Sequence, residues 1–138
     1  LQATPDPLTT ATWRTWVEVN PKDARDMGGL REGDVVELES PHGMVEALVY
    51  IHPAMPPGVV SSPLGQGHAA YGQYATERGA NIMKVLAPQT VEGTGALAWA
   101  ATRVRLNRTG RRTRIPKAEG MVISVAVDGH PVVQVTKE

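Results

Sequence analysis

Short apolar and polar alternations, cut apart by glycine and proline, run the length of this chain. Trp16-Val-Glu-Val-Asn20 alternates and predicts a first strand, with Trp16 an anchor either for the core or for a partner surface. Asn20-Pro21 follows at once: a helix cap, then proline at the first helical position, where its missing N–H costs nothing. The pattern predicts a short helix over Pro21–Met27, with Ala24 and Met27 on one side and Lys22 paired with Asp26 one turn on. Gly28-Gly29 stops it. Glu32-Gly33-Asp34 then turns into a second strand, Asp34–Ser40, whose Val36 and Leu38 face inward while Glu37 and Glu39 form a solvated face. Ser40-Pro-His-Gly43 makes a tight hairpin connection, and Met44–Ile51 returns with Val45, Ala47, Val49 and Ile51 on one face. The prolines between His52 and Gly58 remove ladder donors and predict a rigid corner, after which Val59-Val60 is a brief strand.

That strand delivers the chain into Ser62–Asn81, where Gly65, Gly67, Gly72 and Gly79 are too closely spaced for a plain helix or strand. Gln66, His68, Tyr71, Gln73 and Asn81 are interleaved with them and supply the mixed donors and acceptors that fix a polar heterocycle. Two readings stand at this level: a lip on which another molecule lies, or an ordinary glycine-rich connection in which His68 caps a local backbone group. Ile82–Leu86 is a short apolar segment. Thr94–Leu106 is longer, and its start, Gly95-Ala-Leu-Ala-Trp99, fits helix or strand, with Trp99 expected in the core. Residues 103–117 carry seven positive charges in fifteen positions and are expected as an exposed loop, with subunit docking as the second reading. Met121–Val127, Asp128-Gly129-His130 and Pro131–Thr136 spell strand, turn and strand.

Composition narrows the class. Eleven prolines and fourteen glycines against no phenylalanine describe many short elements and many turns, so a β-rich architecture fits better than a helical bundle. With 138 residues the chain is one domain by size, able to hold a core without staples. The absence of cysteine excludes disulfides, thiolate metal sites and a cysteine nucleophile. Fourteen basic residues balance fourteen acidic ones, so no global field argues for nucleic acid or a membrane surface. No apolar run is long enough to span a bilayer. Four histidines, at 42, 52, 68 and 130, include no pair at metal-ligand spacing, and no Gly-x-Ser-x-Gly or Gly-Lys-Thr pattern supplies a nucleophile or phosphate loop. No catalytic residue and no metal ligand is therefore assigned. The opening at Leu1, with mid-chain text directly after it, is expected of a piece of a longer protein.

Three matches in series carry a family resemblance: Val17-Glu-Val-Asn-Pro-Lys-Asp-Ala24; Leu30-Arg-Glu-Gly-Asp-Val-Val-Glu-Leu-Glu-Ser-Pro-His-Gly43; and Pro57-Gly-Val-Val60 followed by Gly65-Gln-Gly-His68, Tyr71-Gly72 and Gly79-Ala-Asn81. Together they resemble the C-terminal pterin-dinucleotide-binding domain of the molybdopterin oxidoreductases, the group that includes dimethyl sulfoxide reductase and formate dehydrogenase. Thr94–Leu106 looks most like the branch formed by the large subunits of quinone-linked reductases and alternative complex III. The resemblance implies a mainly β fold with short helices, a double-psi β-barrel of the formate dehydrogenase/DMSO reductase C-terminal type. The expected layout is an N-terminal arm or linker at 1–15, the barrel at 16–106, and a basic loop with a C-terminal hairpin or tail at 107–138.

It also implies molybdopterin guanine dinucleotide, with molybdenum or tungsten, in the parent protein. The domain would cover the cofactor and hydrogen-bond it through Gly65, Gly67, His68, Tyr71, Gln73, Arg78 and Asn81. Arg78 or the pair Arg103 and Arg105 would meet pyrophosphate, because a guanidinium matches phosphate oxygens in a fork. The partners implied are the rest of the parent chain together with iron–sulfur and membrane-anchor subunits, with no nucleic acid and no direct membrane insertion, in a bacterial periplasmic or membrane-associated respiratory complex. Some members of that branch have lost the cofactor while keeping the fold, so a structural, subunit-docking role is the alternative. A freestanding adaptor barrel, like those attached to ATP-driven unfoldases, is a third reading.

Overall fold

The computed structural model describes residues 4–70 and 72–118. Five strands form one sheet: β1 (Trp16–Val19), β2 (Asp34–Ser40), β3 (Gly43–Ile51), β4 (Val60–Ser61) and β5 (Arg105–Arg112), in the spatial order β4-β1-β3-β2-β5. Among the described residues the sheet is open, with β4 and β5 at its edges; the hairpin expected at 121–136 lies outside them.

The hairpin β2–β3 forms at the expected place, pairing Ser40 with Gly43 across the turn and Val35 with Leu48 at the far end. Because α1 (Pro21–Asp26) and β2 intervene, β3 comes back in the same direction as β1 and pairs with it in parallel, Trp16 against Leu48 and Val19 against Ile51. Alternation then sorts the side chains onto two faces. Val17, Val19, Val36, Leu38, Val45, Ala47 and Val49 pack with Ala24, Leu30, Ile82 and Val85 on one face. On the other, Trp16, Val35 and Leu48 pack with Ala11 and Ile115.

Asn20 fixes the start of α1 twice. Its Oδ1 accepts from Lys22 N at 2.7 Å, and its Nδ2 donates to Met55 O at 2.6 Å, pinning the proline corner onto the helix. Lys22 and Asp26 meet at 2.7 Å, and this hydrogen bond holds the Asp26 carboxyl below its usual range; both side chains are exposed. Replacing Asn20 with Ala is expected to cost about 1–2 kcal/mol through the lost cap. Asn20→Asp, which keeps the cap and loses the tie to Met55, should fall between the two in a urea titration.

Several expectations change. Met27 is 40% exposed rather than packed beside Ala24, because the helix ends one residue earlier. Gly28 and Gly29, both at positive φ, reverse the chain, and Leu30 joins Ala24 in the core instead. Trp99 is 55% exposed, not core: residues 87–101 are a string of turns joined by one bridge, Thr90 to Leu97, and supply no helix or strand to bury it. The middle of the basic run is not a loop but the edge strand β5, which pairs with β2 from Glu39↔Arg105 to Asp34↔Arg112. Its charges are met by acids on neighbouring segments, Arg111 by Glu46, Arg112 by Asp34 at 3.7 Å and Lys117 by Glu32 at 3.2 Å. The strand therefore crosses the boundary expected at 106. Likewise the supposed arm at 1–15 is partly core, since Ala11 is fully buried and bridges Lys117.

Candidate functional site

The glycine-rich stretch leaves the sheet as a pinched loop. Ser62 Oγ donates to Trp16 O at 2.7 Å and anchors its start. Gly67 N donates to Arg78 O and Glu77 N to His68 O, both at 3.0 Å, so 67–68 and 77–78 close the neck. What protrudes carries the four-residue helix α2 (Gly72–Ala75).

The neck requires glycine for internal reasons. Gly67 has φ +82, and a Cβ there would come inside contact distance of Asn81 N and lie 2.6 Å from Ala80 C. Gly79 has φ +70, and a Cβ there would lie 2.8 Å from Thr15 Oγ1 and overlap Gln66. Beneath them Gln66 is 3% exposed. Thr15 Oγ1 donates to Gln66 Oε1 at 2.7 Å and accepts from Ala80 N at 2.7 Å, tying the neck to the residue just before β1. Gln66 Nε2 is the one buried side-chain polar atom among the described residues that lacks a hydrogen-bond partner.

The expected site residues divide accordingly. Gly67, Arg78 and Asn81 meet at the neck. Gly65 (φ +97), His68 and Gln73 are exposed, the last on α2. Tyr71 lies outside the described residues. Asn81 Oδ1 accepts from Met83 N at 3.0 Å and caps the 3₁₀ helix Ile82–Val85; among the described residues no acceptor takes its Nδ2.

Next to the neck, on the Trp16 side of the sheet, a cleft of about 780 Å³ is lined by Trp13, Arg14, Thr15, Arg78, Gly79 and Arg111 among others. The Arg78 guanidinium sits over the Trp13 ring, 5.6 Å from its centroid, within cation–π range. Arg103 and Arg105, the other expected phosphate contacts, do not line this cleft. Sequence reading missed Trp13, Arg14 and Thr15 because they sit in the stretch expected as an arm. The dense Trp-Arg-Thr-Trp run at 13–16 was the available signal. In chemical terms the loop offers amide and imidazole groups and the cleft offers guanidinium groups, and no cluster of three His, Asp or Glu side chains among the described residues could hold a metal ion.

The domain is small and mainly β, and its glycine-pinched loop opens beside a cleft lined by guanidinium groups. Over residues 3–101 the chain matches the family described as the molydopterin dinucleotide binding domain, and it belongs to that family. It is 34% identical over 108 residues to the menaquinone reductase, molybdopterin-binding-like subunit of Nitratidesulfovibrio vulgaris Hildenborough, covering 72% of this chain and 16% of that protein. To the molybdopterin-containing subunit of the arsenate respiratory reductase of Shewanella sp. strain ANA-3 it is 34% identical over 96 residues, 64% of this chain and 11% of the relative. The corresponding subunit from Chrysiogenes arsenatis is 33% identical over 89 residues. The chain thus spans less than a fifth of the length of these relatives.

Proposed function

We propose that this chain is the cofactor-covering domain of a molybdopterin-dependent oxidoreductase subunit, lying against a pterin dinucleotide held mainly by the rest of a longer polypeptide. The observation that carries the reading is the pinched loop. Its neck is locked from within by Gly67, Gly79 and Thr15, while its polar residues His68 and Gln73 remain exposed. The donor set fits such a group: exposed amide and imidazole side chains for a heterocycle, an unpartnered buried amide at Gln66, and guanidinium groups for phosphate. The metal–dithiolene centre of the cofactor would supply the redox chemistry. This chain's residues would orient the organic part through His68, Gln73, Asn81 and Arg78, with Gly65 letting backbone approach a flat ring and Tyr71 as a further polar contact. The double-psi barrel is the proposed closed form of the open sheet. Quinone-linked electron transfer is the proposed setting, supported by the name of the menaquinone reductase relative; iron–sulfur and membrane-anchor subunits in a respiratory membrane complex complete the proposal.

The test is metal and pterin analysis of the full-length polypeptide. His68→Ala with Gln73→Ala should lower pterin content with folding unchanged. Each hydrogen bond contributes about 0.5–1.5 kcal/mol, so either change alone should weaken retention by about tenfold or less. Asn81→Asp keeps the helix cap and removes the Nδ2 donor, which separates the ligand role from the structural one.

One observation favours a second reading, a cofactor-free docking domain. Gly67, Gly79 and Asn81 all have internal tasks that would keep them in place with no cofactor present, and one relative is named only molybdopterin-binding-like. Wild-type polypeptide made in a cofactor-competent host and containing neither pterin nor metal would establish that reading and end the first.

A further inference from the structure

Among the described residues nine large apolar side chains are exposed, and four of them, Met44, Met83, Val91 and Trp99, gather at the end of the sheet that carries the β2–β3 turn. Their placement follows from short contacts. Gly43 backs onto the main chain of Lys84, where an added Cβ would come inside contact distance of the Lys84 carbonyl oxygen. Ser40 Oγ donates to Val85 O at 2.7 Å, so the 3₁₀ helix Ile82–Val85 sits on the turn. From the end of that helix the chain runs out through residues 87–102 and comes back to its base, where Ala87 N donates to Thr102 Oγ1 at 2.7 Å. β5 then starts opposite Glu39. Apolar side chains scattered singly over a surface are ordinary, whereas four at one end of a small sheet mark a contact surface.

The protruding segment is ordered by its main chain rather than by a core. Val91 N donates to Ala96 O at 2.7 Å and Ala98 N to Gln89 O at 2.8 Å, closing a miniature ladder around the Thr90–Leu97 bridge, and Trp99 N donates to Leu97 O at 3.0 Å. These bonds fix the backbone and leave Val91 47% and Trp99 55% exposed. A tryptophan presented on backbone already held in place gives up little conformational freedom on entering a pocket, which is the make-up of a binding hot spot. Glu92 is the one charged residue between 87 and 102. The surface that complements this segment is therefore apolar and uncharged. Met44, Met83, Val91 and Trp99 are all absent from the lining of the cleft beside the neck, so this surface is separate from the candidate cofactor contacts.

We infer that this end of the domain is a docking surface, with Trp99 as its anchor and Val91 and Met83 beside it, and that its occupant is the remainder of the same polypeptide. The occupant rests on the reading of this chain as one domain of a longer protein. The chain spans less than a fifth of the length of its relatives, so a polypeptide of their size brings several times this domain's surface to fold against it. Apolar contact with few charges is what permanently joined partners share. A covalently continuous partner is also at hand from the moment the surface forms, so the exposed ring is covered without any search for a second molecule.

The experiment follows amide hydrogen exchange by mass spectrometry in the full-length polypeptide, alone and in its native complex. In the polypeptide alone residues 89–101 should exchange slowly, because a docked segment opens only with its interface, whereas turns held by a few bonds of their own open freely. Trp99→Ser and Val91→Ser should each speed that exchange by about tenfold or more and leave residues 34–51 of the β2–β3 hairpin unchanged. Leu8→Ser removes an apolar chain that is 90% exposed beside the Ala11–Lys117 bridge, and it should change nothing at 89–101. Circular dichroism checks that every variant is folded. Exchange at 89–101 as fast as in an unstructured chain, or slow but indifferent to Trp99→Ser and Val91→Ser, overturns the inference. Protection that appears only in the native complex assigns the surface to another subunit and overturns the choice of occupant. Pterin and metal content of the same preparations report on the cofactor reading. A polypeptide that lacks both yet is protected at 89–101 leaves the docking surface standing, so the two readings fail independently.

Discussion

Gly67→Ala should destabilise this domain by about 2–5 kcal/mol. About 1–2 kcal/mol comes from holding a side chain at φ +82, and about 1–3 kcal/mol from forcing a methyl into backbone that cannot give way. The obstruction is the main chain of Ala80 and Asn81, not the flexible end of a side chain. Relief would have to move the neck, and with it the Ala80 N to Thr15 Oγ1 bond that joins the neck to the sheet. Gly95→Ala supplies the control. Its φ is +68 and nothing lies within 4 Å of the added carbon, so only the conformational cost applies. Equilibrium unfolding in urea of both variants separates the terms. Equal losses would mean that the close approach of 67 to 80–81 contributes nothing.

Trp16→Ala should cost about 3–5 kcal/mol, the usual penalty for emptying an aromatic site that the surroundings cannot refill. Trp16 is 1% exposed and sits among Ala11, Val35, Leu48 and Ile115. Three of these come from segments far apart in the chain, so collapse around the hole would have to shift β2, β3 and the 115 segment together. Its Nε1 also reaches Glu18 Oε1 at 3.4 Å. Trp99→Ala, by contrast, removes a ring that is 55% exposed and should change stability by about 0.5 kcal/mol or less. Denaturation midpoints of the two variants decide it, and a large loss at Trp99 would mean that the exposed ring carries a packing role.

The same pair of tryptophans marks what could be read from the sequence. Elements specified by neighbours in the chain were legible: the Asn20 cap, the Lys22–Asp26 pair, the β2–β3 hairpin with its inward Val36 and Leu38. Each depends on a period or a cap that lies within a few residues. The strand β5 was not legible, because Arg-Leu-Asn-Arg-Thr-Gly-Arg-Arg has no apolar alternation. Its strand character depends on pairing with β2, and its charges are met by Asp34 and Glu46, far back in the chain. Trp16 was recognisable from its alternating strand; nothing local distinguishes Trp99, whose exposure follows from the turns around it. At the candidate site, the glycines announced tight backbone, but whether a ligand or the protein itself makes the close approach depended on Thr15, Ala80 and Asn81.

The bridge between Ala11 and Lys117 joins segments from opposite ends of the described chain, a contact of long sequence separation. A chain emerging from the ribosome can close the β2–β3 hairpin early, since its partners are adjacent. The cluster under Trp16 needs Ile115, and the edge of β2 stays unpaired until residues 105–112 have been synthesised. Contacts of such long sequence separation form late and slow folding, so for most of its synthesis the nascent domain exposes one naked sheet edge and one half-covered apolar face. The last described strand to be made is thus the one that covers the β2 edge, and Ile115 just after it completes the Trp16 cluster.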